Sequence, residues 1–229
     1  MTMRAERMTD GTARQWHHHL LTESASAALS AEIRLRAAPR PQDRCVDLGA
    51  GVGMLAIPLS GEVAELVAVE PSRVLATRLA ARARESGCPD IRTESVRITE
   101  LIMPRQSCDL IVSGLALHHC DNPEKRALVP RALRWLRPGG RLVIADLMPD
   151  RTRSAGRRRQ FLSDSGSCGR GRIDRSAGRF FRSTLHTLRE TTATGEFWVE
   201  AFEDAGFRTV GHRQPVPGVG VVWGTVEPN

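Results

Sequence analysis

The chain of 229 residues has no tyrosine, a single lysine, and only 4% aromatic residues. The missing tyrosine removes one type of general base and selects no substrate. Five cysteines (Cys45, Cys88, Cys108, Cys120 and Cys168) form an odd, scattered set with no Cys-x-x-Cys pair. That pattern excludes a disulfide framework and a zinc ribbon, and it suits a reducing, cytoplasmic setting. No apolar run approaches the roughly 20 residues of a membrane span, and the N-terminus lacks an apolar signal core. Residues 1–7 carry no structural pattern, so Met8 is an alternative start. No internal repeat is visible.

Charge is present but unevenly placed. The formal net charge is +7, yet residues 151–182 alone hold ten arginines against Asp164 and Asp174. The other 23 of the 33 basic residues face 24 of the 26 acids. The high isoelectric point therefore belongs to one segment, which argues against a protein that coats nucleic acid over its whole surface. Arginine replaces lysine everywhere except Lys125, for which biased codon usage is the plain explanation.

Hydrophobic patterning reads as a single α/β domain. Strands are expected near 44–48, 65–69, 91–95, 108–113 and 141–146, and helices near 52–60, 72–85 and 124–136. Strands separated by helical patterns make βαβ units in a doubly wound, mostly parallel sheet covered on both faces. Residues 12–36 have helical spacing and form an N-terminal helical cap; 44–149 form the core. The Arg-, Ser- and Gly-rich stretch 150–192, with a helix near 179–191, is a lid or an insertion. A helix over 196–205, closed by Gly206, precedes a hairpin of 207–212 and 219–225, completing the 196–229 unit.

Val46-Asp47-Leu48-Gly49-Ala50-Gly51-Val52-Gly53 ends one strand and opens a helix. Glycines let the backbone turn tightly and approach a ligand, and the helix start aims N–H groups at it. Glu70, at the end of the next apolar run, is placed to take a ribose diol. The dinucleotide fingerprint needs glycine or alanine where this chain has Met54. Asp47 would repel a pyrophosphate and attract an ammonium or sulfonium group. The loop thus suits a cationic nucleoside.

These residues resemble the class I S-adenosylmethionine-dependent methyltransferases. The resemblance continues through Val69-Glu70-Pro71, Cys108-Asp109-Leu110-Ile111-Val112-Ser113, Leu117-His118-His119, Leu136-Arg137-Pro138-Gly139-Gly140-Arg141-Leu142-Val143-Ile144 and Ala205-Gly206-Phe207. It covers residues 44–150 well and the rest weakly. It implies a Rossmann-like, seven-stranded sheet whose last strand is antiparallel, and S-adenosylmethionine as cofactor. Carried over residue by residue, it places Asp47 at the cofactor's amino group, Gly49, Ala50 and Gly51 along its methionine and ribose, Glu70 on the ribose diol and Pro71 against adenine. Ser113 then lies near the methionine moiety. The acidic residue that related enzymes place after the third strand to read adenine is missing from Ser95-Val96-Arg97-Ile98-Thr99-Glu100, which leaves the backbone of Val96 and Arg97.

His118 and His119 are candidate catalytic bases, with a structural loop role as the competing reading. Trp16 can cover the cofactor or pack on the domain, and Trp16-His17-His18-His19 does not make a metal site, because consecutive helical residues diverge. No metal is expected. The sequence lacks an Asn/Asp-Pro-Pro-aromatic run after the fourth strand and a placed Pro-Cys pair, against base methylation. The expected partner is a small-molecule acceptor, an anionic one if the arginines form a lid; a homodimer stays open. The alternatives are an RNA methyltransferase using the arginine segment and a non-catalytic cofactor-binding protein, with a nicotinamide oxidoreductase behind both.

Overall fold

The structure, a computed structural model, describes residues 23–88, 90–149 and 191–228. Calls on residues 12–22 and on the arginine segment, with its helix near 179–191, fall outside them. Elements in chain order are α1 (Glu23–Ala37), β1 (Arg44–Leu48), α2 (Ala56–Ser60), β2 (Glu65–Val69), α3 (Arg73–Glu85) and β3 (Arg92–Glu94). Then come β4 (Cys108–Gly114), a 3-10 turn (Leu117–His119), α4 (Asn122–Trp135), β5 (Leu136–Leu147), α5 (Gly195–Ala205), β6 (Arg208–Val216) and β7 (Val219–Thr225).

The seven strands form one sheet in the order β3-β2-β1-β4-β5-β7-β6. β1 to β5 pair in parallel, and β7 runs antiparallel to both β5 and β6. This is the doubly wound, seven-stranded architecture that the resemblance implied. Central strands such as Leu110-Ile111-Val112 and Leu142-Val143-Ile144-Ala145 are apolar on both sides because helices cover both faces. Leu29 and Ile33 of α1, Leu59 of α2 and Leu79 of α3 pack on one face. Leu128 and Ala132 of α4, with Trp198 and Phe202 of α5, pack on the other.

The termini of the helices follow local chemistry. Ser72 caps α3 through Leu75 N–H, Thr194 caps α5 through Phe197 N–H, and Gly206 ends α5 at φ +98°. α4 opens with a reciprocal capping box between Asp121 and Glu124. The described part of the N-terminal segment, α1, is a layer of the sandwich. Arg141 at the start of the paired part of β5 donates to the Ala37 carbonyl at 2.7 Å and pairs with buried Asp43, which fixes the helix end to the sheet.

Two expectations change. Helix α2 begins at Ala56 and not at Val52, because residues 51–55 form turns around positive-φ glycines. The Pro138-Gly139-Gly140 turn lies inside β5: Leu136 pairs with Cys108, Arg141 pairs with Leu110, and the residues between them bulge out. Their polar groups bond to Val226 beyond β7.

Candidate functional site

Chain order along the sheet reverses between β1 and β4, and open α/β sheets bind ligands at the carboxyl edge of such a switch point. An open cleft lies there. Its walls come from the loop after β1, from Glu70 and Pro71 after β2, from Arg97–Thr99 after β3, from Gly114–Ala116 after β4, and from His119, Cys120 and Glu124 leading into α4.

Asp47 forms the floor. It is 1% exposed, its carboxylate accepts the Ala56 N–H, and its Oδ2 has no hydrogen-bond partner. Burial pushes the Asp47 pKa up to about 7; the Ala56 bond offsets part of this, and the charge of Glu70 adds to it. Glu70 is held from two sides, by the Ser72 N–H at 2.9 Å and the Gly51 N–H at 3.0 Å. Burial raises its pKa too, against those two bonds.

The loop's donors therefore point inward. Ala56 N–H, the first of α2, goes to Asp47, and Gly51 N–H goes to Glu70. A phosphate at this site would find those donors already committed and two carboxylates beside it. Gly49 shows why the turn needs glycine: its φ is +78°, and a Cβ there would stand 2.3 Å from the Ala116 Cβ.

The remaining sequence candidates divide. Gly49, Ala50, Gly51, Pro71, Arg97 and His119 reach the cleft wall; Val96, Ser113 and His118 do not. Val96 gives its N–H to the Glu94 carbonyl and packs its side chain toward the α4–α5 core. Ser113, fully buried, donates its hydroxyl to the Leu48 carbonyl at 2.8 Å and so ties β4 to β1. His118 lies beneath the wall at 2% exposure, with Nδ1 2.7 Å from Asp146 Oδ1, which also accepts the Leu147 N–H.

The rings of His118 and His119 stand 4.2 Å apart. His119 is exposed as a residue, yet the bulk of protein around it, then the neighbouring His118, lower its pKa to about 3. It is a neutral imidazole. Burial pushes the Cys120 thiol up to about 11, so it stays protonated and inert. Lys125, 1% exposed, sends its amine to the Thr191 carbonyl, and Thr191 Oγ1 donates to the His118 carbonyl at 2.7 Å.

Ala116, Cys120 and Glu124 were not foreseen as wall residues. Of these only Glu124 left a readable signal, the Asp121-x-x-Glu124 spacing of a capping box. Among the described residues, no group of three or more His, Cys, Asp or Glu side chains could hold a metal ion. No described helix is long and apolar enough to cross a membrane.

Residues 45–140 match a family described as a methyltransferase domain. The chain is 29% identical over 107 residues to the uncharacterized methyltransferase YcgJ of Bacillus subtilis, covering 47% of this chain and 42% of that protein. It is 33% identical over 96 residues to an uncharacterized RNA methyltransferase of Thermosynechococcus vestitus, covering 36% and 21%. The chain thus spans less than half the length of these curated relatives. In fold it is similar to phosphoethanolamine N-methyltransferase 2 of Haemonchus contortus, solved with phosphomonomethylethanolamine and S-adenosylhomocysteine. That likeness has a TM-score of 0.69 at 13% identity, over 96% of this chain and 58% of the other. The Asp47 carboxylate suits a cationic nucleoside, as an S-adenosylmethionine site requires. Residues 45–140 thus carry a methyltransferase domain, and the sheet around them has the fold of solved S-adenosylmethionine-dependent methyltransferases.

Proposed function

We propose that the protein transfers a methyl group from S-adenosylmethionine to a small-molecule acceptor. One observation carries the reading: Asp47 lines the cleft, and its buried Oδ2 has no partner. A buried carboxylate oxygen is costly until a cation or a donor meets it. The amino group of the cofactor is such a cation. Glu70, anchored by Gly51 and Ser72, keeps lone pairs for the ribose hydroxyls. Gly49, Ala50 and Gly51 allow close backbone approach, Pro71 offers an apolar contact to the base, and Arg97 carries backbone groups at its edge. Ser113 braces the strand whose next residue, Gly114, lines the site.

The bound donor supplies a methyl group already activated on a sulfonium, so the protein's work is alignment and exclusion of water. Among the described residues, His119 is the histidine on the cleft wall and can meet an acceptor. Its lowered pKa makes it a weak base, suited to orienting a hydroxyl or amine and accepting a proton in passing. His118 supports it from below, held by Asp146. Oxygen, nitrogen and carbon acceptors all fit this scheme.

Calorimetry with S-adenosylmethionine and NAD side by side tests the reading. Binding of the first and not the second is expected, with loss of binding in Asp47→Ala. Preference for NAD would overturn it. A second reading, methylation of RNA, draws on the name of the Thermosynechococcus relative and on the ten arginines of residues 151–182. It requires salt-sensitive RNA binding that disappears when Arg157, Arg158 and Arg159 become alanine; no RNA affinity at low salt removes it.

A further inference from the structure

The base end of the cleft lacks the acid that the resemblance leads one to expect, and α4 supplies another. Val69 of β2 pairs with Glu94 of β3, so the segment that leaves β3 lies beside Glu70. A base attached to a ribose on Glu70 therefore extends toward Arg97, Ile98 and Thr99. The same segment is clasped by α4: Arg131 donates to the carbonyls of Thr99 at 2.9 Å, Ile98 at 3.5 Å and Leu101. Glu124 precedes Arg131 by seven residues, two helical turns, which puts both on one helix face. Glu124 thus shares the wall with Arg97, Ile98 and Thr99.

Adenine presents an amino donor beside a ring-nitrogen acceptor. The guanidinium of Arg97 can only donate, and the Ile98 and Thr99 carbonyls are already engaged by Arg131. The carboxylate at this end is Glu124. Its side chain is held in place because Glu124 Oε2 accepts the Asp121 N–H at 2.9 Å in the capping box. One such bond leaves the carboxylate further acceptor sites.

We propose that Glu124 accepts the exocyclic amino group of adenine, so that the N-terminal turn of α4, and not the end of β3, confers selectivity for the base. The proposal rests on the cofactor reading above. The capping box then serves a second purpose, fixing the acceptor before the ligand arrives.

Glu124→Gln retains a carbonyl for the cap but turns part of the acceptor into a donor. Calorimetry with S-adenosylhomocysteine and its 6-oxo analogue, S-inosylhomocysteine, reads the difference, with thermal melts confirming that the variants fold. The wild-type protein should prefer the adenosyl compound by about tenfold or more, the scale of a hydrogen bond to a charged group. Glu124→Gln should bring the two compounds within a few-fold, by weakening the first and strengthening the second. Glu124→Ala, which keeps neither group, should weaken the first without strengthening the second. An adenosyl preference unchanged in both variants overturns the role of Glu124 alone. A wild-type protein that binds neither compound overturns the cofactor reading, and this proposal with it.

Discussion

The floor and the far wall of the cleft are built in different ways. On the floor, Asp47 and Glu70 are held by backbone N–H groups of Ala56, Gly51 and Ser72, all close in sequence to a strand end. On the far wall, His118 is held by the Asp146 side chain, and Thr191 and Lys125 connect parts of the chain 66 and 73 residues apart. A site fixed by its own backbone keeps its geometry when neighbours change. One fixed by long-range side chains can be retuned by single substitutions. The floor suits a constant donor, and the wall suits a variable acceptor.

Substitutions on the floor should break the comparison most sharply. Asp47→Ala is expected to cost roughly 10- to 100-fold or more in S-adenosylmethionine affinity, the range of a hydrogen bond between charged groups. It should leave the melting temperature equal or higher, because it removes a buried carboxylate oxygen that has no partner in the free protein. Calorimetry and thermal unfolding measure both; unchanged affinity would sink the floor's assignment. Gly49→Ala should act through folding, since it meets Ala116 and needs φ +78°. A loss of about 1–3 kcal/mol in urea unfolding is expected for such overpacking.

Acidity offers a finer test. Asp47 must be a carboxylate to pair with an ammonium, and its pKa in the free protein is about 7. Affinity should then be flat well above pH 7 and fall as pH drops through it, by up to about tenfold per unit. Binding near neutrality should release a proton, visible as a dependence of binding heat on buffer ionisation. The linked effect on stability has the opposite sense. A raised carboxyl pKa makes the free fold less stable as pH rises from the unfolded value of 3.8 through about 7. A pH-independent affinity between 6 and 8 contradicts the role of Asp47.

His119 on the far wall should yield the smallest effect on donor binding. His119→Ala is expected to change cofactor affinity by no more than a few-fold while lowering turnover once an acceptor is known. A rate that follows no titration near the ordinary histidine range would fit its lowered pKa. If His119→Ala abolished cofactor binding, the division between floor and wall would collapse.

The same division explains what the sequence made legible. Strands β1, β2 and β7 stand at the bounds read from pattern, because buried apolar runs between turn residues carry that signal locally. Asp47, Gly49 and Glu70 were readable because they occupy fixed offsets from strand ends. Helix α2 was read four residues too long, since the turns over 51–55 depend on glycine dihedrals that the hydrophobic pattern does not encode. Ser113 was assigned to the ligand through its backbone; that its hydroxyl spans to Leu48 depends on strand order, which local pattern does not carry. The Thr191 contact to His118 could not be anticipated from spacing at all. Glu124 lay in plain view as a cap, while its place on the wall depends on how α4 crosses the 97–101 segment.

Lys125 carries a practical consequence. It is the chain's single lysine, and it is 1% exposed under the wall. Acylating reagents that target lysine should therefore leave the folded protein's side chains untouched. Burial holds the amine below its ordinary pKa, and uncovering it restores the reactivity of an ordinary lysine. Each acylation event at Lys125 then records one opening of the far wall, and mass spectrometry of that one site gives a clock for its motion that the stiffer floor does not disturb.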